Sequence, residues 1–385
     1  MSMEYYRGML IQQSRIEAFR QAIQAAVRPG DHVLEIGAGL ATYSFFAAQA
    51  GAAKVWAVEG GPVISVAKTL ARLNGMGDRV EFLRGWFPGV AIPGPVDVLI
   101  FEDYDPRLID GWTYRVLAAL HKDVLRPETR IVPARARLYL APVHLPEVWP
   151  MVGPLSGTDD RRYGLDWFPT AEYVRNTPLQ VPMTAADLRH EARAVGEVRL
   201  DRLPATADLA GRASWRFDAA TAIHGLAYWF DLEVGATWLS NAPGGDPRSW
   251  GNLFLPLDQA LTVPAGATLE ASVAPETADD GAPSWLTWEA RVGEYRYRGH
   301  EFKANPAAMA DLVPTMPSWI PQLTKEAEVE CQILRLADGT RTVEEIARAV
   351  SPALGPLDPG QVRVLVINTL SGRTRAQAKR GDRLL

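Results

Sequence analysis

Short, solid apolar runs alternate with helical stripes over the first third of the chain, and their order predicts a layered α/β unit. Residues 5–26 carry Met9, Ile16, Phe19 and Ile23 at rough helical spacing, and Arg28-Pro29-Gly30 ends that helix. Val33-Leu34-Glu35-Ile36 reads as a buried strand that feeds the turn Gly37-Ala38-Gly39 and then a helix over 43–51. A second strand at 55–58 ends in Glu59, a helix follows over 63–74, and a third strand occupies 80–83. The run 96–101, apolar apart from Asp97, is a central strand ending at Glu102, and 112–124 is a further helix. This alternation implies a doubly wound, Rossmann-like α/β fold, in which ligands sit outside the carboxyl ends of the strands.

Beyond Pro133 the texture changes. Residues 134–143 alternate, prolines become dense, and short strand-like runs recur between turn residues, as in an antiparallel β-barrel over 134–304. The stretch 305–324, with Pro314, Pro317 and Pro321, reads as a linker. A small helical, winged-helix-like C-terminal domain is expected over 325–385. In it, 326–337 is helix-like, Asp338-Gly339 is a turn, and Thr342-Val343-Glu344-Glu345 is a capping box opening a second helix through Val350. A third helical run, 359–370, precedes a basic tail over 373–383 that reads as disordered. The N-terminal α/β domain is thus 1–133.

Composition narrows the class without naming a reaction. With 385 residues the chain can fold two or three domains, and 47% hydrophobic with 22% charged residues suits an ordinary soluble protein. A net charge of −5 argues against a nucleic-acid binder working by bulk charge and mildly suits a basic peptide or protein substrate. The single cysteine, Cys331, forms no internal disulfide, which fits a reducing cytoplasm. No run reads as a signal peptide or reaches membrane-spanning length, and no metal site is expected.

The chemistry concentrates on the glycine turn. Gly37 and Gly39 let backbone approach a ligand that a β-carbon would push away. Glu59, 20 residues beyond Gly39 and followed by Gly60, is placed to accept hydrogen bonds from a ribose diol. A Gly-x-Gly alone fits any α/β turn. A dinucleotide fingerprint wants a third glycine at position 42, where this chain has Thr42. The looser Glu-x-Gly-x-Gly of Glu35, Gly37 and Gly39 resembles motif I of S-adenosylmethionine-dependent methyltransferases.

One segment makes the resemblance narrower. Met9-Leu10-Ile11-Gln12-Gln13-Ser14-Arg15-Ile16-Glu17-Ala18-Phe19-Arg20-Gln21-Ala22-Ile23 is similar to the stretch preceding motif I in protein arginine methyltransferases. The resemblance runs from about Tyr5 to Val292, and what it implies is specific. S-adenosylmethionine is the cofactor and S-adenosylhomocysteine its product. Arg15 would pair with the methionine carboxylate, as a guanidinium does well when sheltered from water. Met9 would line the acceptor channel. Gly85-Trp86-Phe87-Pro88 falls at the family's adenine contacts, so Trp86 or Phe87 would stack on the base unless both are core aromatics. Glu102 matches the first of two glutamates that grip the substrate guanidinium. The second would be position 111, which is Gly111, so Asp110 would serve after a one-residue deletion. Asp103 and Asp105 are further acids, or a solvated turn. Trp250 would wall the guanidinium.

Three departures bear on the acceptor: Tyr6 where the family has histidine, Asp110 with its shift, and Ser249 in place of the histidine of the Thr-His-Trp loop. His224 reads as a core histidine. The stretches 163–166 and 223–231 are similar to the family's barrel strands, 257–274 closes the barrel, and about 167–212 falls where it carries a dimerisation arm, implying a homodimer. The string 333–347 resembles PqqD-like modules that capture leader peptides, or it is a plain helical cap. The implied function is methyl transfer to an arginine of a peptide, protein or free amino acid. A methyltransferase for another acceptor, in natural-product or peptide tailoring, and a catalytically inactive binding relative are the alternatives.

Overall fold

The computed structural model describes residues 2–153, 161–245, 250–306, 320–355, 357–371 and 373–374. The chain divides into two compact units, Met1–Pro306 and Ala307–Leu385.

The first unit opens with two helices where the sequence suggests one, α1 (Met3–Ile11) and α2 (Gln13–Ala26). Gln12 between them leaves the helical region at ψ 76°. Its side chain is buried and accepts a hydrogen bond from Arg15 Nη1 at 3.2 Å, while its backbone N–H donates to the Met9 carbonyl at the end of α1. The α/β layer follows as β1 (His32–Ile36), α3 (Thr42–Gln49), β2 (Lys54–Glu59), α4 (Ile64–Leu73), β3 (Val80–Arg84), β4 (Val98–Phe101), α5 (Gly111–Asp123) and β5 (Arg130–Val132). The strands pair in the order β3-β2-β1-β4-β5, and every pairing is parallel. Helices cover both faces of such a sheet, which is why the strands read as unbroken apolar runs. The one acid inside the run 96–101, Asp97, accepts from His32 N–H at 2.8 Å and from Arg126 Nη2 at 3.0 Å at the edge of the strand. Strand order reverses between β1 and β4, so the crevice beyond their carboxyl ends lies between Ile36 and Phe101.

The rest of this unit is β6 (Arg135–Val143), α6 (Trp149–Val152), β7 (Arg161–Arg162), β8 (Leu165–Asp166), α7 (Phe168–Arg175), β9 (Arg193–Arg199), β10 (Gly211–Arg216), β11 (Thr221–Val234), β12 (Thr237–Ser240), β13 (Leu253–Val263), β14 (Thr268–Thr277), β15 (Pro283–Val292) and β16 (Tyr295–His300). Two antiparallel sheets result, β10-β14-β15-β16 and β12-β11-β6-β9 with β13 on the other edge of β11. Leu226, Tyr228 and Phe230 of β11 and Trp288 of β15 join one apolar core with Leu34 and Leu99 of the parallel sheet. The α/β layer and the antiparallel sheets are therefore fused by shared side-chain packing.

Residues 163–166 are not a strand of either large sheet, contrary to the sequence reading. Tyr163 and Gly164, both at positive φ, make the two-residue turn of a separate hairpin between β7 and β8. Within 167–212, β9 pairs with β6, Gly211 and Arg212 open β10 of the other sheet, and Leu179 and Leu188 are bridged to Phe254 and Val143. Exposed apolar side chains concentrate earlier, at Met151, Tyr163, Leu165, Phe168 and Tyr173.

The second unit packs three helices, Lys325–Leu336, Val343–Val350 and Pro359–Leu370, around Ile333, Ile346, Val350, Val362 and Val366. Its described residues include no strand. The Thr342 capping box forms: Glu345 Oε2 accepts from Thr342 N–H at 2.7 Å, and Thr342 Oγ1 accepts from Glu345 N–H at 3.3 Å. Of the expected linker, 307–319 with Pro314 and Pro317 lies outside the described residues, as do 375–385. No helix among the described residues is long and apolar enough to cross a membrane.

Candidate functional site

The turn after β1 is built on alternating left-handed residues. Gly37 has φ 72°, Gly39 φ 53° and Ala41 φ 61°. A β-carbon on Gly39 would stand 3.0 Å from the Tyr6 ring, and one on Gly37 would stand 3.3 Å from Asp103. The glycines thus bring the chain close to side chains from α1 and from the loop after β4. Ala41 turns directly into α3, so Thr42 opens the helix without a third glycine.

Two carboxylates brace this turn. Glu35 is buried in β1, and its Oε2 accepts from the N–H of Ser44 at 2.7 Å and from the Ser44 hydroxyl, tying the strand to the first turn of α3. Burial pushes its carboxyl up to about 7, against the lowering effect of the Ser44 hydrogen bonds. Glu59 accepts from Gly39 N–H at 2.8 Å through Oε2 and from Gly61 N–H at 2.5 Å through Oε1. Each of its oxygens keeps a further acceptor site.

Glu35, Gly37, Gly39, Glu59, Met9, Trp86 and Glu102 line one cavity with Tyr6 and Asp103. The two aromatic candidates part ways. Trp86 is 60% exposed and lies over Gly60, where a β-carbon would fall 2.3 Å from its ring. Phe87 is buried in the core, does not line this cavity, and lines instead a smaller adjoining one and a separate cavity with Pro88 and Val90.

Glu102, at the end of β4, is paired with a guanidinium from the same chain. Arg15, on α2 and 7% exposed, makes an ion pair with Glu102 and lies over the Trp250 ring, with Cζ 4.3 Å from its centroid. Trp250 is held from below, its Nε1 donating to the Glu102 carbonyl at 3.1 Å. Burial pushes the Tyr43 hydroxyl up to about 12, and Arg15 beside it works in the other direction.

Asp110 is not brought to this cavity. It is the N-cap of α5, where its Oδ1 accepts from Thr113 N–H at 2.7 Å. At Gly111 a β-carbon would meet the Pro283 carbonyl at 2.9 Å, which leaves no space there for a glutamate. Asp105 pairs with Arg107 at 2.8 Å. Ser249 lies outside the described residues. His224 stacks between His144 and Trp149 and accepts from Leu145 N–H at 2.9 Å, with burial pushing it down to about 4, as befits a core histidine. No group of three potential metal ligands occurs among the described residues.

Sequence reasoning did not place Tyr6 and Asp103 against the glycines. The helical spacing of Tyr6 and Met9, three residues apart, was the signal for the first; for Asp103 there was none, because an acid beside a strand end reads equally as a solvated turn.

No protein-family model matches the chain. It is 29% identical over 255 residues to a zebrafish (Danio rerio) protein named protein arginine N-methyltransferase 6, covering 63% of this chain and 73% of the relative. It is also 29% identical over 286 residues to an arginine N(omega)-methyltransferase of Streptomyces achromogenes subsp. streptozoticus, covering 69% and 74%. Among solved structures, the Trypanosoma brucei PRMT1 enzyme-prozyme heterotetrameric complex with AdoHcy superposes with a TM-score of 0.67 at 19% identity, over 77% of this chain and 97% of that one. Arabidopsis thaliana protein arginine methyltransferase 10 gives 0.63 at 18%, over 78% and 98%. These superpositions establish the fold.

Proposed function

We propose, from the premise that this chain is a relative of the protein arginine methyltransferases, that it transfers a methyl group from S-adenosylmethionine to a guanidinium nitrogen of arginine. The observation that carries the reading is the guanidinium of Arg15 seated on the Glu102 carboxylate and the Trp250 face. A site that accepts one planar cation this way has the charge and flat wall that a substrate arginine requires.

The pocket residues fit the cofactor. The Gly37 and Gly39 cradle would be filled by any β-carbon, Glu59 retains acceptor sites for a ribose diol, and Trp86 offers an open ring face for a base. S-adenosylmethionine, when bound, supplies a methyl group on an electrophilic sulfonium. Arg15 would hold its amino-acid carboxylate, Glu35 keeps the turn closed through Ser44, and Met9 would line the acceptor channel. Glu102 would orient the acceptor guanidinium in plane and offset its charge with one nitrogen facing the donor; as the new N–C bond forms, that nitrogen gives up its proton to the carboxylate or to water. To hold that carboxylate, Arg15 would have to leave its present pairing with Glu102.

A second reading has its own support. Asp110 is committed to its helix cap and Gly111 admits no side chain, so Glu102 is the one acid this loop turns to Arg15. A single carboxylate suits free arginine or another nitrogen acceptor as well as a peptide. One relative is named for arginine itself and another for protein arginine.

The finer organisation belongs to the same reading: a cofactor domain over 1–133, a barrel over 134–304, a linker over 305–324 and a C-terminal domain over 325–385. A homodimer formed through the arm is supported by the exposed apolar side chains at 163–173, at and just before its start. The helical C-terminal unit would serve as a winged-helix-like, leader-peptide-binding module in a cytoplasmic enzyme. Incubation with radiolabelled S-adenosylmethionine and an arginine peptide, with free arginine in parallel, tests the whole. Label in neither acceptor, with cofactor bound in calorimetry, would leave the readings of another acceptor and of an inactive binding relative.

A further inference from the structure

The loop joining β4 to α5 carries Glu102 and Asp110, and it is anchored at a point no motif marks. Arg107 points away from the cavity and meets Glu301, 194 residues further on, fork to fork: Nη1 to Oε2 at 2.8 Å and Nη2 to Oε1 at 3.0 Å. Its Nε donates to Asp105 Oδ1 at 2.8 Å within the loop. Glu301 Oε2 accepts in addition from Leu286 N–H of β15 at 2.8 Å, and the Arg107 carbonyl accepts from the Tyr228 hydroxyl of β11 at 3.4 Å. Leu108 beside it is buried in a left-handed conformation at φ 77°. At its other end the loop is held through the Glu102 carbonyl by Trp250. The loop is therefore held at two points, by Glu301 in the turn after β16 and by Trp250 in the loop between β12 and β13.

We infer that Arg107 and Glu301 are positioning residues for the acceptor: their bidentate pair fixes the loop so that the Glu102 carboxylate meets the acceptor nitrogen in line with the donor. The inference rests on the arginine-acceptor reading above. A bidentate guanidinium–carboxylate pair fixes both distance and plane, which a single contact does not. Alignment errors of about 1 Å cost on the order of 10²-fold in rate. Neither residue touches the cavity lined by Glu102.

The test is Glu301→Gln and Arg107→Lys, with the exchanged pair Arg107→Glu/Glu301→Arg as the rescue. Expected is a fall of about 10-fold to 10²-fold in kcat/KM for the acceptor, with the Kd of S-adenosylhomocysteine within about twofold of wild type, as alignment of a bound acceptor is not part of cofactor affinity. Amide exchange over 102–110 should quicken while that over 33–36 stays unchanged, and the exchanged pair should recover at least part of both. Acceptor kinetics at the wild-type level, or cofactor affinity falling in parallel with turnover, would overturn the inference. If wild-type protein methylates no arginine acceptor, the functional reading fails on its own, and unaltered loop exchange in Glu301→Gln still refutes the clamp.

Discussion

Replacing Glu102 by glutamine keeps the size of the side chain and removes its charge, which separates the two jobs assigned to this part of the pocket. The Arg15 side chain is 8% exposed and that of Glu102 19%, so the pair is largely out of water. Removing one member of a buried pair costs about 3–5 kcal/mol. The glutamine oxygen still accepts one hydrogen bond and Glu102 is not sealed, so a loss of about 2 kcal/mol of stability is expected. The catalytic loss is larger in kind. Taking away a preorganised group that faces the reacting charge costs about 3–4 kcal/mol of transition-state stabilisation. That corresponds to about 10²-fold to 10³-fold in rate. Cofactor affinity should move the other way or not at all, since Arg15 no longer has to leave a carboxylate before binding the donor. Initial rates with labelled donor, calorimetry with S-adenosylhomocysteine and thermal melting would be read together. Methyl transfer at the wild-type rate would refute the role of Glu102; cofactor binding weakened tenfold or more would refute the exchange of partners by Arg15.

Two further outcomes follow from groups beside the pocket. Glu35 is held at about 7 by burial against 4.5 in the unfolded chain, so between those values the folded state binds the extra proton and stability falls as pH rises. At about 1.4 kcal/mol per pH unit, wild type should lose up to about 3 kcal/mol from pH 4.5 to pH 7.5 relative to Glu35→Gln; urea unfolding at both values checks this, and a constant difference between the proteins would contradict it. Gly111→Glu, which restores an acid at the position matching the family's second glutamate, should destabilise by about 1–3 kcal/mol because its β-carbon meets the Pro283 carbonyl at 2.9 Å. An unchanged melting temperature with faster turnover would show that the loop has room for the missing acid.

The chain alone determined the parallel sheet and the glycine turn at the end of its first strand, for a physical reason. Strands buried on both faces are written as unbroken apolar runs, the glycine turn must be local, and Glu35, Gly37, Gly39 and Glu59 sit at or just beyond the ends of adjacent strands. Tertiary structure decided the rest. The first helix broke at Gln12, whose buried side chain accepts from Arg15, Phe87 went to the core while Trp86 stayed exposed, and Asp110 became a helix cap. Each of those outcomes depends on a partner far away in sequence or on competition for one hydrogen bond, and neither leaves a period in the chain. The same holds for Arg107, whose partner lies 194 residues on, in the turn that follows β16.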